Sequence, residues 1–431
     1  MPAKKTIRFI TLGCSKNLVD TEKLAAYFNP SFYHLEFTDS KNYADFILIN
    51  TCGFIHDAKE ESINTILEAI ELRKAGYAGK IIVWGCLSQR YRNDLQKELS
   101  EVDLFEGTEA FQQIVSYISK SEYKTLVGER IVTTPGHYAY LKISEGCNRL
   151  CSFCAIPLIR GKLHSLPLNE LMIEARMLAG KGVKELILIA QDLTSYGLDL
   201  NGKSQITKLV QSLSTIKGID WIRLHYAYPY KFPEDLLIEM RDNSKVCKYL
   251  DIPFQHISNH ILKSMRRGIT GEQTYSLIEK IRKFVPEITI RTTIMTGFPG
   301  ETEEEFQELC DFVEKVKFNR LGVFTYSEEE GTFAARELQD DLPQKVKQER
   351  LNILMEIQRN ISLEYNQAMI GKEFRVMIDG KSGKYYVGRT ESDSPEVDNQ
   401  VYVKARYLMP GEFYQVKIDE AQDYDIFGKL V

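Results

Sequence analysis

Residues 145–157 read EGCNRLCSFCAIP, and the three cysteines among them, Cys147, Cys151 and Cys154, are spaced four and three residues apart just after the β-type run YAYLKIS. Structural metal sites usually close on four ligands, so a triad on one loop is one short. Zinc would need a fourth donor, and the nearest histidines, His137 and His164, each lie ten residues from the closest cysteine of the three. A cubic iron–sulfur cluster takes the same thiolates, and with three of them one iron stays open to a non-protein ligand. Buried structural thiols are the plain alternative for a single cysteine, and a poor account of three on one glycine-containing loop.

Upstream, three short β-type runs, TIRFITLGC, ADFILINTC and KIIVWGCLS, each close on a cysteine: Cys14, Cys52 and Cys86. Between them NLVDTEKLAAYF and AKEESINTILEAIELRKAG repeat apolar residues at helical spacing. Alternating strand and helix builds an open parallel sheet, whose strands all end on one edge. Cysteines 38 and 34 residues apart in the chain are therefore expected to converge there as a second triad.

Downstream, TTPGH at Thr133 to His137 marks a boundary, and six strand candidates follow with helical stretches between them: YAYLKIS, ELILIA, WIRLHYA, CKYLDIP, EITIRTTIM and RLGVFTYS. Six such units predict a partial (β/α)6 barrel. Residues just beyond the strands, namely Glu145, Cys147, Gln191, Asp192, His225, Gln255, His256, Gly297 and Tyr326, then fall on the face that carries chemistry in parallel barrels. A charged helical stretch runs from Pro343 toward Gly371. Five short runs, KEFRVMIDG, KYYVGRT, QVYVKA, EFYQVKI and DYDIFGKL, then predict a small antiparallel β-barrel of OB-like size. The fold class is α/β, divided as 1–132 (open parallel sheet), 133–366 (partial barrel) and 367–431 (small β-barrel).

Composition agrees. A chain of 431 residues has room for two or three domains, and 43% hydrophobic with 27% charged residues is ordinary globular usage. No apolar run approaches a membrane span, which predicts a cytoplasmic protein without a membrane partner. In that reducing compartment eight cysteines are ligands or buried thiols, and Cys247 and Cys310, outside both triads, are expected in the core. The net charge of -5, from 55 basic and 60 acidic residues, argues against a broad phosphate-binding surface but not against a local basic patch.

The segment CNRLCSFC resembles the CxxxCxxC signature of radical S-adenosylmethionine enzymes, with Phe153 just before the last cysteine. The resemblance implies a 4Fe-4S cluster on Cys147, Cys151 and Cys154, with the methionine end of S-adenosylmethionine on the open iron. The N-terminal triad ahead of that unit and the small barrel behind it resemble the methylthiotransferases over nearly the whole chain. So do the blocks GCSKNLVDTE, CSFCAIPLIRG, AQDLTSYG, DIPFQHIS, TGFPGETEEEF and YSEEEGT. This likeness implies a flavodoxin-like N-terminal domain, a C-terminal TRAM domain, and a second 4Fe-4S cluster on Cys14, Cys52 and Cys86 that carries the sulfur to be inserted. All six cysteines are then catalytic and metal-binding.

Other positions are candidates to hold the cofactor. Gln191, Asp192 and Ser195 follow a strand and suit its ribose or amino-acid part, beside Phe153. Gly297 and Gly300 lie in TGFPGET, where backbone N–H groups at a helix start can meet a polar cofactor group, or where the turn is simply a connector. His225 and His256 are expected to be satisfied structural histidines.

Two branches of the family differ in substrate, a transfer RNA adenosine or the β-carbon of an aspartate in small-subunit ribosomal protein 12. GCSKNLVD, rather than GCQMN, and the SPEVD segment of GRTESDSPEVDNQVYV resemble the protein-modifying branch. That implies the ribosomal protein as partner, free or within the subunit, with an electron donor and a sulfur source. From Ala368 to Val431 nine Lys/Arg face eleven Asp/Glu, and an acidic barrel suits a basic protein better than RNA. The transfer RNA enzyme, with the same cofactors, and a non-catalytic metal-dependent RNA- or protein-binding protein are the alternatives. For the methylthiotransfer reading both open irons must face one cavity, so the N-terminal strand edge is expected over the mouth of the barrel.

Overall fold

The computed structural model describes residues 4–38, 40, 42–119, 124 and 126–431. Its first unit is a parallel sheet of β1 (Lys5–Thr11), β2 (Tyr33–Glu36), β3 (Ala44–Thr51), β4 (Ala78–Gly85) and β5 (Leu104–Phe105), ordered β2-β1-β3-β4-β5. The middle strand β3, ADFILINT, is almost wholly buried and reads as the continuous apolar run that a strand covered on both faces needs. Three helices follow their strands directly: α1 (Ser15–Ala25), α2 (His56–Lys74) and α3 (Cys86–Glu98), before α4 (Phe111–Ser119). The order is that of flavodoxin-like sheets, whose ligand crevice opens between β1 and β3 at the strand carboxyl ends. Cys14 and Cys52 follow those two strands and Cys86 follows β4. The edge strands β2 and β5 lie outside the runs that the sequence marks, because one is half exposed and the other has two residues.

The second unit is a six-stranded parallel sheet in consecutive order: β6 (Tyr138–Lys142), β9 (Glu185–Ile189), β10 (Trp221–Leu224), β11 (Val246–Asp251), β12 (Thr289–Thr296) and β13 (Arg320–Thr325). Each corresponds to one of the six runs read from the sequence. A short ribbon, β7 (Ser144–Glu145) with β8 (His164–Ser165), brackets the cysteine loop and α5 (Ile156–Arg160). The largest apolar cluster, from Ala139 to Ile361, lies between these strands and their helices.

The third unit, β14 (Glu373–Ser382), β15 (Tyr385–Arg389), β16 (Val401–Lys404), β17 (Phe413–Ala421) and β18 (Ile426–Leu430), is a closed barrel in the order β14-β15-β16-β18-β17. Four of its seams are antiparallel, and β16 with β18 is parallel. Five strands in a ring cannot alternate direction at every seam, so the expected antiparallel barrel carries one parallel pair.

The connection from β15 to β16 seats this barrel on the central strands. Asp393 pairs with Arg320 (2.5 Å), Ser394 meets His225 (2.9 Å), Asp398 accepts from Tyr249 (2.6 Å) and Glu396 accepts from Tyr138 and Tyr140 (3.3 Å each). Asp379 pairs with His137 and Arg389, the Glu391 main-chain carbonyl accepts from Arg223, and its carboxylate accepts from the Lys248 backbone N–H. Three of the barrel's eleven acids, Asp379, Asp393 and Asp398, are thus paired with Arg389, Arg320 and Arg291 inside the protein, and only Arg389 of its nine bases is buried with them. Eight bases and eight acids remain for the rest of the barrel, so its acidic excess is not an outward field, and the charge argument for a basic partner loses its support. Among the described residues no helix is long and apolar enough to cross a membrane.

Candidate active site

The N-terminal triad, Cys14, Cys52 and Cys86, is drawn together by close backbone approach. Gly13, before Cys14, sits at φ +85°, and a Cβ there would lie 2.8 Å from Cys52 Cβ, so only glycine meets both demands. Gly53, after Cys52, lies against the chain where Cys86 passes into Leu87, with 2.7 Å between an added Cβ and the Leu87 nitrogen. Asn17, in the first turn of α1, fastens the corner. Its Nδ2 donates to the Leu12 (2.9 Å) and Thr51 (3.2 Å) carbonyls, and its Oδ1 lies 3.7 Å from Cys86 Sγ.

The loop triad, Cys147, Cys151 and Cys154, is held by its loop and by what the loop leans on. Cys147 N donates to the Gly161 carbonyl (3.1 Å), Cys154 N to Cys151 O (3.1 Å), and Arg149 N to Cys147 Sγ (3.3 Å). Ser152 donates its N–H to Met265 O (3.0 Å) and its hydroxyl to Ser264 O (2.8 Å). Cys151 Sγ faces Arg267 Nη1 (3.3 Å) and Tyr228 Oη (3.5 Å), and Tyr228 is flanked by Arg149 and Arg267 at 4.3 and 4.4 Å from the ring centroid. Phe153 meets Phe298 edge to face, 6.4 Å between centroids.

Arg160 joins the two. It ends α5, which begins two residues after Cys154, and its Nη2 donates to Cys86 Sγ (3.3 Å) and Asn17 Oδ1 (2.6 Å). Its Nη1 donates to Asp20 and Glu145, 2.8 Å each, and Lys142 donates to the same two carboxylates. Ala155 and Ile159 pack against Cys86. Val19 of α1 packs with Tyr138, Tyr140, Ile187 and Ile189 of the central strands, so the first sheet's edge covers the barrel and the triads adjoin.

Burial pushes the Cys147 and Cys154 thiols up, to about 11 and about 12, and Cys86 to about 11 in spite of Arg160. Cys14 departs the other way. It reaches solvent, yet enough protein surrounds it for desolvation to oppose ionisation; Lys16, Arg160 and the N–H groups of Asn17 and Lys16 outweigh that and lower it. Burial also raises the Glu145 carboxyl, but Lys142 and Arg160 hold it well below the usual carboxylate range.

Thiols this reluctant ionise readily on a metal, which deprotonates a coordinating thiol outright. Among the described residues no three His, Cys, Asp or Glu side chains are gathered closely enough for one metal ion. A cubic cluster asks for something else, since its thiolates bind different irons and stand farther apart than the ligands of a single ion. Three thiols with N–H or cationic donors on the sulfurs fit that demand in both triads. For the cofactor, Gln191 donates to Glu145 while its Oε1 is buried with no partner among the described residues, an acceptor suited to an ammonium or hydroxyl donor.

The other candidates are placed as follows. Asp192 accepts from Arg149 Nε (2.8 Å), from Thr194 and from Ser195, and Ser195 Oγ also meets Arg149 (3.4 Å), so both bear on the loop through Arg149. The Gly297 N–H already donates to Glu301 (3.0 Å), and a Cβ there would strike Lys347 at 2.3 Å. Gly300 has His260 at 3.7 Å, and between the two glycines Phe298 packs on Phe153. His225 and His256 are structural, on Ser394 and on Glu301 (3.3 Å), and Cys247 and Cys310 are buried in apolar clusters. Lys16, Asn17, Asp20, Arg149, Arg160 and Arg267 escape the sequence reading. The first three signal themselves only as polar residues on a helix face that turns out to be buried.

The Radical SAM superfamily matches residues 141–313, the TRAM domain 370–431, and the Uncharacterized protein family UPF0004 residues 6–107. The Porphyromonas gingivalis protein named ribosomal protein uS12 methylthiotransferase RimO is 51% identical over 431 residues, 99% of each chain. Its namesake from Christiangramia forsetii is 53% identical over 428 residues, 99% of this chain and 94% of the relative, and that from Parabacteroides distasonis 50% over 429, 99% of each. Among solved structures, the radical S-adenosylmethionine methyltransferase TsrM from Kitasatospora setae superposes with a TM-score of 0.56 at 13% identity, covering 88% of this chain and 79% of that one. The cobalamin-dependent S-adenosylmethionine radical enzyme OxsB gives 0.52 at 12%, covering 82% and 56%. These two likenesses concern the fold alone.

Proposed function

The chain belongs to the ribosomal protein uS12 methylthiotransferase family, and from that membership we propose that it places a methylthio group on the β-carbon of an aspartate in uS12. The units 1–132, 133–366 and 367–431 then hold the sulfur, make the radical and seat the substrate. When bound, a 4Fe-4S cluster and S-adenosylmethionine at Cys147, Cys151 and Cys154 supply a hydrogen-abstracting radical, and a second 4Fe-4S cluster at Cys14, Cys52 and Cys86 supplies sulfur that a second S-adenosylmethionine methylates.

The protein's own part is to place and insulate. Gln191 Oε1 accepts from the cofactor, Asp192 and Ser195 aim Arg149 along the cysteine loop, and the Gly297 to Gly300 turn sets Phe298 against Phe153. Arg160, Lys142, Asp20 and Glu145 lock the two units in one geometry, and Val19 keeps water from the joint. The observation that carries this reading is Arg160 on Cys86 Sγ at 3.3 Å, from a helix that starts two residues after Cys154. It supports two triads serving one reaction.

The outer face of the C-terminal barrel carries Tyr385, Tyr402 and Phe427 with rings 5.1 to 5.9 Å apart and Lys384 over Tyr385. Such a surface stacks nucleobases, which suits an encounter with uS12 on the assembled subunit in the cytoplasm. An electron donor and a sulfur source complete the partners.

The test is to incubate anaerobically reconstituted enzyme with S-adenosylmethionine, reductant and sulfide, offering uS12, ribosomal subunits and unmodified transfer RNA, and to weigh each. One methylthio group on the uS12 aspartate is expected. Transfer RNA as the product carrier would make the other branch correct, and zinc in place of about eight irons per chain would make the protein a metal-stabilised binder.

A further inference from the structure

Four cations crowd the joint between the triads, and three of them have carboxylates. Lys142 and Arg160 share Asp20 and Glu145, and Arg149 has Asp192. Lys16 has none among the described residues. It is only 9% exposed, and its ammonium has the Ala190 carbonyl at 3.4 Å and the face of Tyr226 at 4.1 Å. The neighbouring Cys14 sulfur helps to hold its charge, but no carboxylate among the described residues lies within ion-pair reach to replace the water it has lost. Buried cations of this kind are normally paired.

The position narrows the choice of anion. Lys16 lies two residues after Cys14, on the sulfur side, while Ala190 immediately precedes Gln191 at the end of β9, on the cofactor side. In an aspartate the β-carbon is bonded directly to the carboxylate carbon, so any pose that offers that carbon to both triads brings the charge with it. A carboxylate entering a joint that already holds Asp20, Glu145 and Asp192 is repelled unless a cation is free to meet it. The other three cations are already engaged.

We propose that Lys16 is the counter-charge for the target aspartate's carboxylate and is what lets the active site tell an acidic side chain from a neutral one. The inference rests on the substrate reading above.

The experiment uses the reconstituted full-length enzyme, wild type and Lys16→Met, with two uS12 peptides, one carrying the target aspartate and one asparagine in its place. Binding is read by fluorescence anisotropy with S-adenosylmethionine and no reductant, so that no turnover occurs. The wild type should prefer the aspartate peptide by roughly tenfold or more. Lys16→Met should lose roughly a hundredfold for that peptide and bind the two alike, with iron content and the paramagnetic signal of the cluster at Cys147, Cys151 and Cys154 unchanged. Equal binding of both peptides by the wild type overturns the proposal without any variant. So does a variant that still discriminates, or one that weakens both peptides equally while altering the signal of the cluster at Cys14, Cys52 and Cys86, which makes Lys16 a partner of that cluster. A wild type that binds neither peptide and modifies no uS12 overturns the substrate reading, and this inference with it.

Discussion

Cys147, Cys151 and Cys154 lie within eight residues of chain, whereas Cys14, Cys52 and Cys86 are gathered from three strand ends 38 and 34 residues apart. The first set depends on a loop and its local bonds. The second exists only while β1, β3 and β4 pair in register and Gly13 and Gly53 let their ends approach. Their surroundings differ as well. Burial pushes Cys147 and Cys154 up together, while in the other corner Lys16 draws Cys14 down and Arg160 covers Cys86. A local triad suits a site whose chemistry lies in its cofactor; a topological triad can be tuned from a neighbouring unit.

The largest effects come from removing one triad at a time. Replacing Cys147, Cys151 and Cys154 by alanine should abolish both reductive cleavage of S-adenosylmethionine and methylthiolation, leaving about four irons per chain. Replacing Cys14, Cys52 and Cys86 should also leave about four irons but retain cleavage, seen as 5′-deoxyadenosine without methylthiolated product. Loss of cleavage in the second variant would break the division of labour.

Arg160→Ala comes next. It strips Cys86 of a donor and leaves Asp20 and Glu145 to Lys142 alone, a loss of about 3 kcal/mol in stability on the scale of broken buried pairs. Arg160→Lys should recover only part, because an ammonium cannot span the same acceptors. Thermal unfolding measures the loss, and the spectrum of the cluster at Cys14, Cys52 and Cys86 should change while that of the cluster at Cys147, Cys151 and Cys154 does not.

Gly13→Ala and Gly146→Ala test the triads by backbone alone. Both glycines precede a first cysteine at positive φ, +85° and +68°, and an added Cβ would strike Cys52 at 2.8 Å and the Lys162 carbonyl at 2.2 Å. Each should cost about 1–3 kcal/mol and lower iron occupancy in its own triad only, by iron analysis and cluster spectra.

The smallest effect lies at the barrel seam. Burial, with Arg223 and Arg291 nearby, holds the His225 imidazole well below its ordinary value. The unfolded chain takes that proton near pH 6.5, so the stability is complete above this pH and falls below it, by at most about 1.4 kcal/mol per pH unit, until the folded form also titrates. Unfolding between pH 7.5 and 5.5 should show a shallower slope in His225→Gln.

The same contrast explains what the sequence could tell. Cys147 to Cys154 announce themselves by spacing, and the six central strands by their apolar runs. Cys14, Cys52 and Cys86 were legible as a triad only through strand and helix alternation. What stayed hidden was pairing across long stretches of chain: Arg160 with Asp20, Lys142 with Asp20, Asp393 with Arg320. Lys16, Asn17 and Asp20 look like a solvated helix face until another unit covers them, and Asp393, just before SPEVD, and Asp398, its last residue, count as surface charge until they are found on Arg320 and Arg291. Asp192 and Ser195 were found, but their engagement with Arg149 was not, since spacing gives position and not partner.

The central claim is that the two triads adjoin across one site. Electron paramagnetic resonance of the reduced, reconstituted enzyme tests it most directly. The account predicts that the wild-type spectrum differs from the sum of the two single-triad variants, through magnetic coupling between neighbouring clusters; a spectrum equal to that sum, with unaltered relaxation, would contradict it.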